Sequence, residues 1–88
     1  MQIKLSASYY RALKGFVKNN KKNAGNVKKA FKLLRGNPHH PSLNLEKLKG
    51  NRIWTIRIDR GNRIFFYWLD KTTVLFLDIG RHDKYRKY

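Results

Sequence analysis

Two hydrophobic periods divide the chain. From Tyr9 to Leu34 apolar residues recur at helical spacing, and from Trp54 to Ile79 they alternate with polar ones. In the first region Tyr9, Leu13, Phe16 and Val17 stand at i, i+4, i+7 and i+8, one stripe of a helix that Ser6 or Ser8 can cap. Asn19, Asn20 and the run Asn23 to Gly25 read as a turn. Val27, Ala30, Phe31 and Leu34 form a second stripe, stopped by Gly36-Asn37-Pro38 because proline cannot continue the ladder. Lys18, Lys21, Lys22, Lys28, Lys29, Lys32 and Arg35 cover the polar faces. The expectation is two antiparallel helices, with a short strand at residues 2–5 ahead of them.

After an irregular loop from Asn37 to Asn44 the period drops to two. Trp54, Ile56 and Ile58 alternate with Thr55, Arg57 and Asp59, and Asp59-Arg60-Gly61-Asn62 has turn chemistry. Arg63 to Leu69 reads as a second strand and, past Asp70-Lys71-Thr72, Thr73 to Ile79 as a third. A three-residue loop at Arg60, Gly61 and Asn62 puts Trp54, Ile56, Ile58, Ile64, Phe66 and Trp68 on one apolar face, joined by Leu75, Leu77 and Ile79. Thr55, Arg57, Asp59, Arg63, Phe65 and Tyr67 take the other face. A two-residue loop would mix Arg57 into the apolar set, and burying an unpaired guanidinium is costly, so the three-residue register is favoured. The predicted fold is α+β: two N-terminal helices packed on one side of a small antiparallel sheet of three to four strands, a single domain over residues 1–88.

Charge changes the picture most. Twenty-one Lys and Arg stand against five acids, a formal +16 on 88 residues. A small domain so charged repels itself and calls for a strongly negative partner, nucleic acid first. At 41% hydrophobic the chain still has the material for a core, so it is not a disordered basic tail. With no Cys, a disulfide scaffold and a thiolate metal site are excluded, which fits a reducing cytoplasm. Met1-Gln2-Ile3-Lys4-Leu5 lacks the apolar run of a signal peptide, and no stretch reaches the length of a membrane span. His39 and His40 beside Pro38 and Pro41 read as a loop without metal.

Four segments converge on the polar face of the sheet or its rim: Glu46 with Lys47 and Lys49, the hairpin pair Arg57 and Arg63, the aromatics Phe65 and Tyr67, and the run Arg81-His82-Asp83-Lys84-Tyr85. Arginine beside aromatics is the pairing that holds phosphates and stacks bases. RNA can be cut by its own 2′-hydroxyl without metal or cofactor. A base must take the hydroxyl proton, cations must stabilise the crowded phosphorus, and an acid must protonate the departing 5′-oxygen. Glu46, the sole glutamate, suits the first role, Arg63 and Arg81 the second, and His82 or Tyr85 the third.

The two basic helices, the Leu48-Lys49-Gly50 step, the Arg57-Ile58 to Arg63-Ile64 hairpin and the ending Asp78-Ile79-Gly80-Arg81-His82-Asp83-Lys84-Tyr85 together resemble the RelE/ParE toxin superfamily. Within it the resemblance is to the YoeB- and RelE-like mRNA interferases. It implies a type II toxin that cleaves mRNA in the ribosomal A site and is neutralised by a cognate antitoxin, in a bacterial cytoplasm. By the same resemblance Glu46 is the general base, Arg63 binds phosphate, His82 is the general acid, and Tyr85 stacks on or contacts the phosphate. YoeB-like proteins have their C-terminal His and Tyr adjacent, whereas Asp83-Lys84 separates them here. RelE itself carries lysines on the first hairpin strand, where this chain has Trp54 and Ile56. The implied partners are mRNA, the ribosome with its 16S rRNA, and the antitoxin. Two other readings stay open: a ParE-like poison of DNA gyrase, and a non-enzymatic basic module for RNA or DNA.

Overall fold

In the computed structural model the chain runs β1 (Gln2–Leu5), α1 (Ala7–Val17), α2 (Lys21–Gly36), β2 (Glu46–Lys47), β3 (Trp54–Arg57), β4 (Asn62–Asp70) and β5 (Thr73–Arg81), with 3-10 turns at Pro41–Leu43 and His82–Lys87. The structure describes residues 1–84 in full and the backbone of 85–87.

Both helices start where the sequence supplies a cap. Ser6 Oγ accepts from the Tyr9 amide at 3.0 Å, and Asn20 Oδ1 from the Asn23 amide at 2.9 Å. The turn between them is shorter than expected. Asn23 to Gly25 lie inside α2 rather than in the turn, which centres on Asn19 at φ 51°. The Asn23 side chain donates to the Phe16 carbonyl at 2.8 Å, so its amide closes the end of α1 instead of breaking a helix.

Among the described residues the sheet has five strands in the order β1-β5-β4-β3-β2, more than the three to four expected. It is also mixed. The expected strand at residues 2–5 pairs parallel with β5, while the other pairs are antiparallel. Parallel neighbours need a long connection, and everything from α1 to β4 supplies it. The two-residue strand β2 carries no alternation that a sequence pattern could show.

The first hairpin pairs Arg57 with Arg63, Ile56 with Ile64 and Trp54 with Phe66, so five residues, 58–62, separate the last paired positions where three were expected. Asp59 explains the width: its Oδ1 accepts from the Gly61 amide, the Asn62 amide and the Asn62 side chain, each at 2.9 Å. A shift of two residues preserves parity, so the expected faces of β3 and β4 stand. The third expected strand is different. A bulge sets Phe66 opposite Phe76 and Phe65 opposite Asp78, leaving Leu77 over. Val74, Phe76 and Ile79 therefore face the helices, while Leu75 and Leu77 are half-buried outside the core. Ser8 Oγ donates to the Leu77 carbonyl at 2.8 Å, tying α1 to the bulge.

Phe76 is the centre of the core, with Phe31, Tyr9 and Phe66 ring centroids at 5.0, 5.2 and 5.9 Å. Trp54 and Trp68, expected in the core, pack against it half-buried. The Tyr9 hydroxyl is buried with no hydrogen-bond partner among the described residues, and burial pushes its pKa far above the ordinary phenol range. An unpaired buried hydroxyl costs about 1–3 kcal/mol. Tyr9→Phe keeps the ring contacts and is expected to raise the thermal midpoint by roughly 4–8 °C per kcal/mol regained, read by differential scanning calorimetry. An unchanged or lower midpoint would show that the hydroxyl is not a cost to the fold. No helix among the described residues is long and apolar enough to cross a membrane.

Candidate active site

Paired residues of neighbouring strands share a face, and the pairings lay out two rows on the side of the sheet away from the helices. Glu46, Thr55, Phe65 and Asp78 form one row, and Arg57, Arg63 and Gly80 the next. At the end of these rows a cavity of about 420 Å³ opens, lined by Glu46, Thr55, Arg57, Arg60, Arg63 and His82, with the Asp59 to Asn62 turn as one wall.

Arg63 is the fixed point of the site. Its Nη1 donates to Thr55 Oγ1 at 3.0 Å and to the Asn44 carbonyl at 3.3 Å, and its Nη2 lies 3.8 Å from Glu46 Oε1. The Arg63 side chain is 17% exposed and that of Glu46 54%, so the ion pair itself adds little stability. What it adds is placement. Asn44, in the left-handed region at φ 45°, holds both ends: its carbonyl takes the guanidinium and its Nδ2 donates to Glu46 Oε1 at 3.3 Å. Asparagine tolerates that backbone better than most residues. Arg57 is tethered less firmly, through Nε to the Asp59 carbonyl at 3.3 Å.

His82 reaches the cavity from the other end of the chain. Its amide donates to the Gly61 carbonyl at 3.0 Å, docking the C-terminal 3-10 turn on the hairpin loop and leaving the imidazole exposed at the cavity mouth.

Of the residues singled out in the sequence, the structure brings Glu46, Arg57, Arg63 and His82 together. Among the described residues it does not bring the others. Arg81 pairs with Asn62, one position out of register with Arg63, and does not line the cavity. Lys47 follows Glu46 in the same strand and so takes the opposite face, and Lys49 lies in the turn after it. Phe65 is fully buried and has no ring face to offer a base, which corrects its reading as a stacking residue. Tyr67 shares the polar face but lies outside the cavity. The side chain of Tyr85 falls outside the described residues.

Thr55, Asn44 and Arg60 were missed. Alternation places Thr55 on the right face, but nothing in one sequence tells that its hydroxyl meets Arg63. Asn44 left a faint signal, a turn-forming residue just before Leu45-Glu46.

A carboxylate, a guanidinium and an imidazole thus surround a space that can take a phosphodiester: a proton acceptor, a fixed positive charge and a proton donor. Among the described residues no three His, Cys, Asp or Glu side chains gather as a metal site requires.

No protein-family model matches the chain, and no curated protein matches it in sequence. Solved structures match it in shape. YafQ from E. coli strain BL21(DE3) superposes with a TM-score of 0.76 at 15% identity, over 96% of this chain and 96% of that one. The YoeB/ParE toxin from Agrobacterium tumefaciens gives 0.77 at 14% identity, over 93% and 99%. A chain of the YoeB-YefM complex from Staphylococcus aureus gives 0.73 at 22% identity, over 93% and 97%. Likeness at these identities establishes the fold. The α+β fold, over nearly the whole chain, is shared with YafQ and with the YoeB/ParE toxin, as the sequence resemblance implied.

Proposed function

We propose that this chain is the toxin of a type II toxin–antitoxin system, an endoribonuclease that cleaves mRNA in the ribosomal A site. The observation that carries this reading is that Glu46 and His82, 36 positions apart in the chain, stand on one cavity with the anchored Arg63. The Glu46 carboxylate takes the proton of the 2′-hydroxyl, and the 2′-oxygen attacks the adjacent phosphorus. Arg63, assisted by Arg57, stabilises the charge that builds on the equatorial oxygens. The bond to the 5′-oxygen breaks, and His82 donates the proton that oxygen needs. The products are a 2′,3′-cyclic phosphate and a 5′-hydroxyl, with Glu46 protonated and His82 neutral until water exchanges their protons.

The charge supports the target. A net +16 drives association with ribosomal RNA, and the exposed lysines of α1 and α2 supply phosphate contacts whose affinity falls with salt. Structures similar in fold are held in complexes, YoeB with YefM and DinJ with YafQ, which supports a cognate antitoxin as the protein partner here. A segment rich in acids suits it, placed to shield Arg63.

Primer extension on message from a cell-free translation reaction tests the reading, with Arg63→Ala as control. New in-frame 5′ ends, appearing only on translated message and only with the parent protein, are expected. Intact message with normal translation would point to gyrase instead. Blocked translation with uncut message would point to a ribosome binder without catalysis.

A further inference from the structure

On the same face of the sheet the chain carries a half-buried ion pair, its carboxylate buried and its ammonium partly exposed, that the reaction does not use. Asp78 is 4% exposed, in a molecule with few acids, and it lies in the same row as Glu46 and Thr55. Lys84, six residues on, reaches back to it: Nζ lies 3.1 Å from Asp78 Oδ1 and 3.1 Å from the Ile79 carbonyl. Asp78 Oδ1 also accepts from the Ile79 amide at 2.8 Å.

To make this contact the lysine stem crosses Gly80, the residue opposite Arg63. A Cβ built on Gly80 would meet Lys84 Cε at 2.8 Å, and Gly80 has φ +154°, a backbone that strains other residues. The backbone favours glycine there, and a larger residue would also push the flexible end of Lys84 aside from Asp78. The loop so closed contains Arg81, His82 and Asp83, and its far side is held by the His82 amide on the Gly61 carbonyl. Among the described residues the 3-10 turn that presents the imidazole is therefore pinned at two points. One is a single exposed hydrogen bond. The other is a charge-assisted bond to a buried carboxylate, the stronger kind.

We propose that Lys84 is a positioning residue for His82: its clamp on Asp78 and Ile79 holds the C-terminal turn against the hairpin loop and so sets the imidazole at the cavity mouth. The catalytic half of this statement rests on the ribonuclease reading; the structural half does not. A general acid displaced by about 1 Å can lose a hundredfold in rate, while substrate binding through Arg63 and the surface lysines is untouched.

Lys84→Met keeps the stem and removes the charge. Asp78→Asn removes the other partner with little change of shape, so that one variant carries the test should the other fail to fold. Amide hydrogen exchange reads the clamp without reference to activity. Protection of the His82 amide is expected to fall at least about tenfold, with Ile64 and Phe66 in the core unchanged. Message cleavage in the cell-free reaction is expected to fall about 10- to 100-fold in kcat with KM within about twofold, and Lys84→Arg to recover part of it. Unchanged His82 protection in a folded variant overturns the clamp. So does an equal loss across the core amides, which would make the pair a general stability element. A loosened His82 with full kcat overturns the positioning role. If the parent itself cleaves nothing, the ribonuclease reading fails, and exchange alone still decides whether Lys84 holds the turn.

Discussion

Replacing Arg63 with Ala is expected to lower cleavage of translated message by about 10²–10³-fold, the usual loss when one preorganised donor to a developing oxyanion is removed. The fold should survive. Thr55 Oγ1 and the Asn44 carbonyl lose a donor, at a cost of about 1–3 kcal/mol, within the stability of a domain this size. Far-UV circular dichroism and a denaturant midpoint check this directly. Arg63→Lys is expected to recover little. A lysine is a point charge on a flexible stem and cannot bond Thr55 and Asn44 through one nitrogen while facing a phosphate with another. A folded Arg63→Ala protein that cleaves at the parental rate would remove the central cation from the mechanism.

The proton-transfer pair gives the second large effect. Glu46→Gln and His82→Gln are each expected to reduce kcat by about 10²–10⁴-fold, the range for loss of a positioned base or acid. Because the two act in one displacement, the double variant should be only slightly worse than the worse single one. Neither change should disturb folding much. Both side chains are exposed, and the Glu46 pair with Arg63 spans 3.8 Å near solvent. Single-turnover cleavage on programmed ribosomes, with binding measured separately, gives the comparison. A double variant that cleaves and arrests growth like the parent would remove Glu46 and His82 from the mechanism. Multiplicative losses would mean that the two groups act in separate steps.

Several features of the site were legible because they rest on local chemistry. Glu46 stood out as the sole glutamate, and Arg63 as the cation after a turn. His82 followed from the C-terminal run, and alternation sent Arg57 and Arg63 to one face. That face survived even though the hairpin loop is two residues wider than expected, since only parity matters for which side a residue takes. Phe65 shows the limit of the same rule. Alternation put it beside the arginines correctly, but exposure depends on what covers a face, and Phe65 is fully buried. Arg81 stands off the cavity for a related reason: proximity in sequence to His82 says nothing about which row of the sheet it occupies.

By itself the sequence determined the class of the molecule. Period 3.6 followed by period two makes two helices and a sheet, and the serines at 6 and 8 mark where the first helix begins. A charge of +16 favours a strongly negative partner. Each of these is local or summed over the chain, so no contact has to be known. Only the tertiary structure decided the parallel pairing of β1 with β5, the bulge that puts Phe76 rather than Leu77 in the core, the hold of Asn44 and Thr55 on Arg63, and the return of Lys84 across Gly80 to Asp78. These depend on residues far apart in the chain meeting at a few ångströms, or on a single extra residue in a strand. Both are set by packing of the whole core, and no local period records them.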